Sequence, residues 1–307
     1  MPDKRPIIAI IIVNYDTSPE TVQCLQSLIK IKHFNFDYHV IVVDNGSQEV
    51  LKLPKSLEQK NIDLIRTEAN IGFTGGNNLG ISHAIKQYNS DYLLLLNSDT
   101  TVDPNFLDEL YLSIQGENRG IATSKIYFEA GYEFHLDSYQ KQDLGKVFWF
   151  AGGVIDWSNL MAFHRGVDEV DRGHFDTQVE TDFATGCVML IKREVIEKVG
   201  ILDKKYFLYL EDVDYSLRVL NKGYKIVFCP KSVVYHKNAG STGGSGSSIQ
   251  QYYQTRNRLL FFFKYASWRY RLTAVKFLIR LIFTGSAIEQ QAAQDYLLGR
   301  LGKQPII

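Results

Sequence analysis

The chain has 307 residues, 45% of them hydrophobic and 22% charged, with 34 Lys and Arg balancing 34 Asp and Glu. That length suits one large domain or two modest ones with a sizeable core, and the composition excludes a disordered tail, a collagen and a coiled coil. The zero net charge hides a division: no Asp or Glu occurs from Tyr215 to Ala287, while Lys and Arg recur from Arg218 to Arg280. The basic last third therefore has to face something negative: a phosphate ligand, an anionic membrane surface or nucleic acid.

Ile7 to Val13 is a continuous β-branched run that suits a strand covered on both faces. Ser18 and Pro19 read as an N-cap and first helical residue ahead of Val22, Leu25 and Ile29 at helical spacing. His39–Val43 and Ile62–Arg66 are the next strands. Gly72–Gly80 leads into a helix carrying Ala84, Ile85 and Tyr88, Tyr92–Leu96 is a buried strand, and Asp103-Pro104 caps a helix with Phe106, Leu107, Leu110 and Ile114. This alternation predicts an α/β fold with a doubly wound, mostly parallel sheet. From about Glu129 to Thr181 the pattern breaks into an aromatic-dense stretch of irregular structure with short antiparallel strands. Order returns at Phe183–Ile191, a short helix Arg193–Val199 stopped by Gly200, a helix across Glu211–Leu220, and a strand Lys225–Cys229 ended by Pro230. Asn238–Ser248 is too rich in Gly and Ser to hold a fixed fold unaided, and from Ile249 the chain reads as a helical extension.

Cys24, Cys187 and Cys229 have no paired spacing and sit among apolar residues, which predicts free thiols in a reducing compartment. The N-terminus lacks a signal-peptide cleavage site, and no apolar run approaches the roughly 18 residues of a membrane span. The expected location is cytoplasmic, with the inner face of the cell membrane as a second option. Beyond Leu259–Phe263, the apolar residues of the C-terminal segment alternate with Lys and Arg. Two readings stand side by side: an amphipathic pair of helices on anionic lipid, or core packing with a solvated basic face.

Ligands of open α/β sheets bind beyond the carboxyl ends of the strands. Four segments lie there: Asn14-Tyr15-Asp16, Asp44-Asn45-Gly46-Ser47, Asn70 to Asn78, and Asn97-Ser98-Asp99. One Asp after a strand is commonly a turn former or N-cap, but several on one sheet edge point to a site. A loop of Asn70, Gly72, Phe73, Gly75 and Gly76 at a helix start would offer backbone N–H groups to an anion, although glycines also serve tight turns. Glu211, Asp212 and Asp214 cluster at another helix start, where the dipole favours acids. The apolar Phe207–Leu210 before them would draw them toward a pocket and raise their basicity.

In order and spacing, VNYD, VVDNGS, NIGFTGGNN, LLLLNSDT, FLYLEDVDYSLR and VYHKNAGS resemble the inverting glycosyltransferases of family 2, in their rhamnosyltransferase-like branch, over about Ile7 to Asn257. The resemblance implies a GT-A-type sheet with a catalytic domain at 1–248, divided into a nucleotide-binding half (1–128) and an acceptor and catalytic half (129–248). Residues 249–307 form the basic helical region. It also implies that Asn14, Tyr15 and Asp44 contact a nucleotide, joined by Asn70, Gly72, Phe73, Gly76, Asn97 and Ser98. Asn97-Ser98-Asp99 stands where the family has Asp-x-Asp, so Asp99 and His236 would hold a divalent cation, Mg²⁺ or Mn²⁺, suited to hard oxygen ligands. Asp212 would be the general base with Glu211 beside it. Arg256 of the YYxxRN pattern would fold back on the diphosphate. Trp149 and Asp214 are acceptor-side candidates, Asp214 alternatively orienting Arg218 or a helix end.

The activity so implied is transfer from a nucleotide-diphospho sugar, dTDP-rhamnose or a UDP-hexose, to a glycan or lipid-linked glycan hydroxyl in cell-surface polysaccharide synthesis. One base and no identifiable nucleophile predict inversion. The alternatives are a catalytically silent sugar-nucleotide-binding protein and, less suited to the helical spacing of the aromatics, an RNA-binding module. Nucleic acid is therefore not an expected partner, and oligomeric state, a homodimer included, is left open.

Overall fold

The computed structural model describes residues 5–57, 61–238 and 246–306. Residues 239–245 of the Gly- and Ser-rich stretch fall outside them. The first half alternates as expected: β1 (Ile7–Asn14), α1 (Ser18–Leu28), β2 (Asp37–Asp44), β3 (Ile62–Arg66), α2 (Gly72–Tyr88), β4 (Tyr92–Asn97), β5 (Thr100–Val102), α3 (Phe106–Ile114) and β6 (Arg119–Phe128). The aromatic stretch holds the short strands β7 (Phe148–Phe150), β8 (Gly153–Asp156), β9 (Met161–His164) and β10 (Val179–Glu180). β11 (Val188–Lys192), α4 (Arg193–Val199), α5 (Glu211–Leu220) and β12 (Lys225–His236) complete the sheet region, and α6 (Ser248–Tyr265), α7 (Trp268–Thr284) and α8 (Ala287–Leu297) follow.

The main sheet runs β10-β12-β6-β11-β4-β1-β2-β3, with β5 on β12 and β7 on β6. Its β4-β1-β2-β3 half is parallel, and β11 runs antiparallel between β4 and β6. The apolar runs require cover on both faces and receive it. Ile8, Ile10 and Ile12 of β1 pack in a core with α1, α3 and the end of α6, whereas Ala9 and Ile11 meet α2, α4 and α5 on the other side. Each fully buried Ile contributes on the order of 1.5–3 kcal/mol.

Several boundaries differ from expectation for identifiable reasons. The N-cap of α1 is Thr17, not Ser18, and its hydroxyl reaches Asn14 and Ser98 instead of capping. Asn105, not Asp103, is the N-cap of α3, and Asp103 accepts a hydrogen bond from the Asn105 backbone N–H at 2.8 Å. Pro230 does not end its strand: β12 continues to His236 across a break in register between Cys229 and Val233. The interruption accommodates a residue without an N–H, and the Ser232 hydroxyl fills it, 2.7 Å from both the Ser124 hydroxyl and the Phe106 carbonyl.

The Gly-rich segment is itself helical, from Gly72 onward. A Cβ on Gly76 would lie 2.8 Å from Val13 Cγ1, and one on Gly80 2.4 Å from Ile11 Cγ2. These glycines let α2 sit directly on β1.

Candidate active site

Parallel register sets three polar residues side by side at the carboxyl edge, Asn14 opposite Asp44 and Asp44 opposite Arg66. Asp44 is fully buried. It accepts from Asn14 Nδ2 at 3.1 Å, Arg66 Nη1 at 2.5 Å and the Leu51 N–H at 3.3 Å. Burial alone would raise its pKa, but hydrogen bonds from Ser47, Leu51, Asn14 and Arg66 prevail and hold it below the ordinary carboxylate value. Its oxygens thus serve to tie the strand ends together, and the exposed cation beside them is Arg66, absent from the residues that the sequence singles out. The signal available was its place at the last residue of a strand ending on this edge. Tyr15 is half-buried just beyond β1.

From Asn14 a chain of hydroxyls leads across the strand ends. Asn14 Oδ1 accepts from Thr17 and Thr21, and the Thr17 hydroxyl lies 3.1 Å from that of Ser98. Asp99 follows. Its Oδ1 is 3.0 Å from Nε2 of His236, and Asn97 Nδ2 is 3.4 Å from the same nitrogen. His236 is the last residue of β12, fixed opposite Thr100 and Phe128 by pairing on both sides. Its ring is buried, and Nδ1 has no hydrogen-bond partner among the described residues. Trp149 packs edge-on against His236 at 4.5 Å and His164 at 4.3 Å. Burial pushes the His164 pKa down to about 4, so that ring is neutral.

A divalent cation fits this pair. Asp99 Oδ1 and the neighbouring His236 Nε2, 3.0 Å apart, are the donors that would hold it. A carboxylate oxygen with an imidazole nitrogen suits Mn²⁺ better than Mg²⁺ or Ca²⁺. No group of three or more His, Cys, Asp or Glu able to hold a metal occurs among the described residues, so other positions would fall to ligand oxygens and water.

The acids of α5 join the same place through one turn. Asn97 N–H donates to the Cys187 carbonyl at 3.0 Å, and Gly186 N–H next to it donates to Asp212 Oδ2 at 2.8 Å. Asp212 remains half-buried, whereas Glu211 is 4% exposed and its Oε2 has no hydrogen-bond partner among the described residues. Burial, then the neighbouring Asp212, raises the Glu211 pKa far above the ordinary range; burial also raises that of Asp212, against hydrogen bonds from Gly186 and Val213. A half-exposed carboxylate of raised basicity is equipped to take a proton.

The backbone before these acids is strained. Phe207, Tyr209 and Leu210 have φ of 63°, 68° and 63°, and a non-glycine residue in that region costs on the order of 1–3 kcal/mol. The Phe207 carbonyl accepts from Thr74 N–H at 3.2 Å, and a Cβ on Gly72 would lie 2.4 Å from the Phe207 ring.

Four expected site residues are used otherwise. The N–H groups of Gly72 and Thr74 are taken by Asn70 Oδ1 and the Phe207 carbonyl, and Gly76 is buried against Val13. This helix start is therefore closely packed and no anion cradle, while Asn70 and Phe73 stay half-buried. Arg256 is fully buried, with all three guanidinium nitrogens bonded to oxygens of Asn257, Gly302, Lys205 and Tyr206, which is no position for a diphosphate ligand. Asp214 is fully buried as well. It binds Tyr206, Tyr265, Arg218 and Lys264 and fastens α5 to α6 instead of meeting an acceptor; its orienting of Arg218 is observed, at 2.9 Å.

The family model described as "Glycosyltransferase like family 2" matches residues 5–260. Among curated relatives, the low-salt glycan biosynthesis hexosyltransferase Agl10 of Haloferax volcanii is 26% identical over 82% of this chain and 74% of its own length. An N-acetylglucosaminyl-diphospho-decaprenol L-rhamnosyltransferase of Mycobacterium tuberculosis is 24% identical over 81% and 80%. Among solved structures, GalNAc-T7 with UDP, GalNAc and Mn²⁺ superposes with a TM-score of 0.64 at 17% identity, covering 98% of this chain; the chain spans 55% of that protein.

Proposed function

The chain belongs to the glycosyltransferase-like family 2, and on that footing we propose that it is an inverting glycosyltransferase using a nucleotide-diphospho sugar. Its architecture is the GT-A fold. The donor is dTDP-rhamnose or a UDP-hexose, in keeping with the rhamnosyl- and hexosyltransferase relatives. The acceptor is a hydroxyl of a glycan or lipid-linked glycan in cell-surface polysaccharide synthesis. The observation that carries this reading is the continuous path from Asp44 through Asn14, Thr17 and Ser98 to Asp99 and His236, and from Asn97 through Cys187 and Gly186 to Asp212.

In this reading the base and ribose lie against Tyr15 and Arg66, with Asn70, Phe73, Asn97 and Ser98 along the cleft. Asp44 and Asn14 act by fixing Arg66 and the strand ends. Asp99 and His236 would hold a divalent cation, Mn²⁺ suiting the donor set better than Mg²⁺, and when bound it would neutralise charge on the donor phosphates. Asp212 Oδ1 or Oδ2 takes the proton of the acceptor hydroxyl, otherwise a poor nucleophile at neutral pH. Glu211, whose pKa burial and its acidic neighbours raise, gives up its proton less readily than a free carboxyl and so adds less charge beside Asp212. Direct displacement with one base inverts the anomeric centre, and Trp149 offers an apolar face for an acceptor sugar.

No helix among the described residues is long and apolar enough to cross a membrane. The α7 surface nevertheless suits an anionic bilayer. Trp268, Leu272, Val275, Ile279 and Phe283 are exposed along one stripe, Arg269, Arg271, Lys276 and Arg280 are exposed beside it, and the helix carries no acid.

The test is transfer and donor hydrolysis with dTDP-rhamnose and UDP-hexoses, with and without Mn²⁺, in the wild type and Asp212→Asn. Activity lost in the variant with nucleotide affinity kept supports the reading. Turnover equal to wild type removes Asp212 as base, and nucleotide binding without turnover in the wild type leaves the silent binder.

A further inference from the structure

We infer that Asn257, locked in place by Arg256, is a positioning residue that holds the strained loop 205–210 and so sets Asp212 at its post on Gly186. Asn257 is fully buried, and its Nδ2 donates to three carbonyls of that one loop: Tyr206 at 2.9 Å, Leu208 at 2.7 Å and Tyr209 at 2.9 Å. The orientation of its amide is not free to vary. Oδ1 accepts from Nε and Nη2 of Arg256 at 3.0 and 2.8 Å, so nitrogen has to face the loop. Arg256 extends the grip, Nη2 donating to the carbonyls of Lys205 at 3.1 Å and Tyr206 at 3.0 Å.

Why a clamp is needed follows from the backbone. Phe207, Tyr209 and Leu210 are left-handed without being glycine, and such a conformation persists only where its surroundings over-determine it. Nothing in FLYL favours it locally. Carbonyls without donors are costly; here the Asn257 amide serves those of Leu208 and Tyr209 and joins Arg256 and the Leu208 N–H at that of Tyr206. Leu210 is the N-cap of α5, directly ahead of Glu211 and two residues ahead of Asp212. If the loop relaxed to right-handed backbone, the start of α5 would turn and Asp212 would leave the Gly186 N–H. α6 therefore reaches the chemistry through main-chain geometry, with neither Arg256 nor Asn257 touching substrate.

This inference rests on the assignment of Asp212 made above, and the experiment separates the two. Asn257→Ala is compared with Leu210→Gly and the double variant, because glycine accepts left-handed backbone unaided and is tolerated at an N-cap. The expected result for Asn257→Ala is a fall in kcat of about tenfold or more, with the KM for donor within about twofold of wild type. Adding Leu210→Gly should restore at least about threefold of that loss, a rescue that simple damage to α6 packing would not allow. Wild-type kcat in a folded Asn257→Ala overturns the clamp. So does a loss that glycine fails to restore, and so does failure of both Asn257→Ala and the double variant to fold. If the wild type transfers no sugar, the functional reading fails by itself, and amide hydrogen exchange of residues 207–212 then decides: faster in Asn257→Ala and slowed again by Leu210→Gly supports the clamp, unchanged exchange overturns it.

Discussion

α6 and α7 are nearly equal in length, 18 and 17 residues, and both are basic, aromatic helices, yet they meet opposite fates. α6 buries Tyr252, Tyr253, Arg256, Asn257, Leu259, Phe261 and Phe262, while α7 buries only Ala274 and Leu281. Trp268 and Phe283 at the two ends of α7 are 73% and 77% exposed. Helical spacing of apolar residues says that a helix has a sticky face, not what will cover it. For α6 the cover is α8, the core around Trp157 and the strained loop ahead of the acids. Burying an arginine there is tolerable because all three of its guanidinium nitrogens find oxygen acceptors on Lys205, Tyr206, Asn257 and Gly302.

This contrast predicts that the interior, catalytic side of the molecule is far more sensitive than α7. The largest effect is expected at the residue that α6 supports indirectly: Asp212→Asn should lower kcat by about 10²–10⁴-fold, read by product formation, with nucleotide affinity kept in a calorimetric titration. Next comes Arg256→Ala, which removes a fully buried guanidinium that bonds Lys205, Tyr206, Gly302 and Asn257, and should cost about 3 kcal/mol in denaturant unfolding. Arg269→Ala on α7 should stay within about 0.5 kcal/mol; equal losses at the two sites would erase the contrast.

α7 should matter elsewhere. Trp268→Ser with Phe283→Ser should weaken binding to vesicles rich in anionic phospholipid by about tenfold or more, leaving kcat on a soluble acceptor as in wild type. Co-sedimentation that does not change would assign α7 another partner.

The smallest effects concern pH. The Asp212 pKa is raised, so kcat/KM should fall on the acid side through a value above the ordinary 3.8, not at it. For Glu211 the folded pKa lies above the unfolded one. The folded state thus takes up a proton, and the associated stability is complete below the ordinary 4.5 and is lost as pH rises through the folded value. Glu211→Gln should flatten the decline of Tm between pH 5 and 9 by a few degrees at most, as read by calorimetry; a slope identical to wild type would mean that Glu211 is ionised in the fold.

The parallel half of the sheet was legible because continuous β-branched runs leave few options, and a candidate edge followed from Asp44 and Asp99 directly after such runs. Other features depend on atoms remote in sequence. Whether Gly72–Gly80 is loop or helix turns on the closeness of Ile11 and Val13, and Pro230 sits in a strand because Ser124 and Ser232 fill the break. Arg66 was hidden as the polar end of a strand. Asn257 carried a family pattern, but its role requires three carbonyls 48 to 51 positions away, in a loop whose left-handed residues nothing in FLYL announces.

The glycines of α2 carry a last consequence. Because Gly76 and Gly80 carry no Cβ, the backbone of α2 rests directly on the side chains of Val13 and Ile11, and that sets the height of Phe73 at its first turn. A methyl group at either position would jack up the whole helix and, with it, the Phe73 ring. The bore of the cleft could in this way be retuned from behind, with every residue that faces a sugar nucleotide left unaltered.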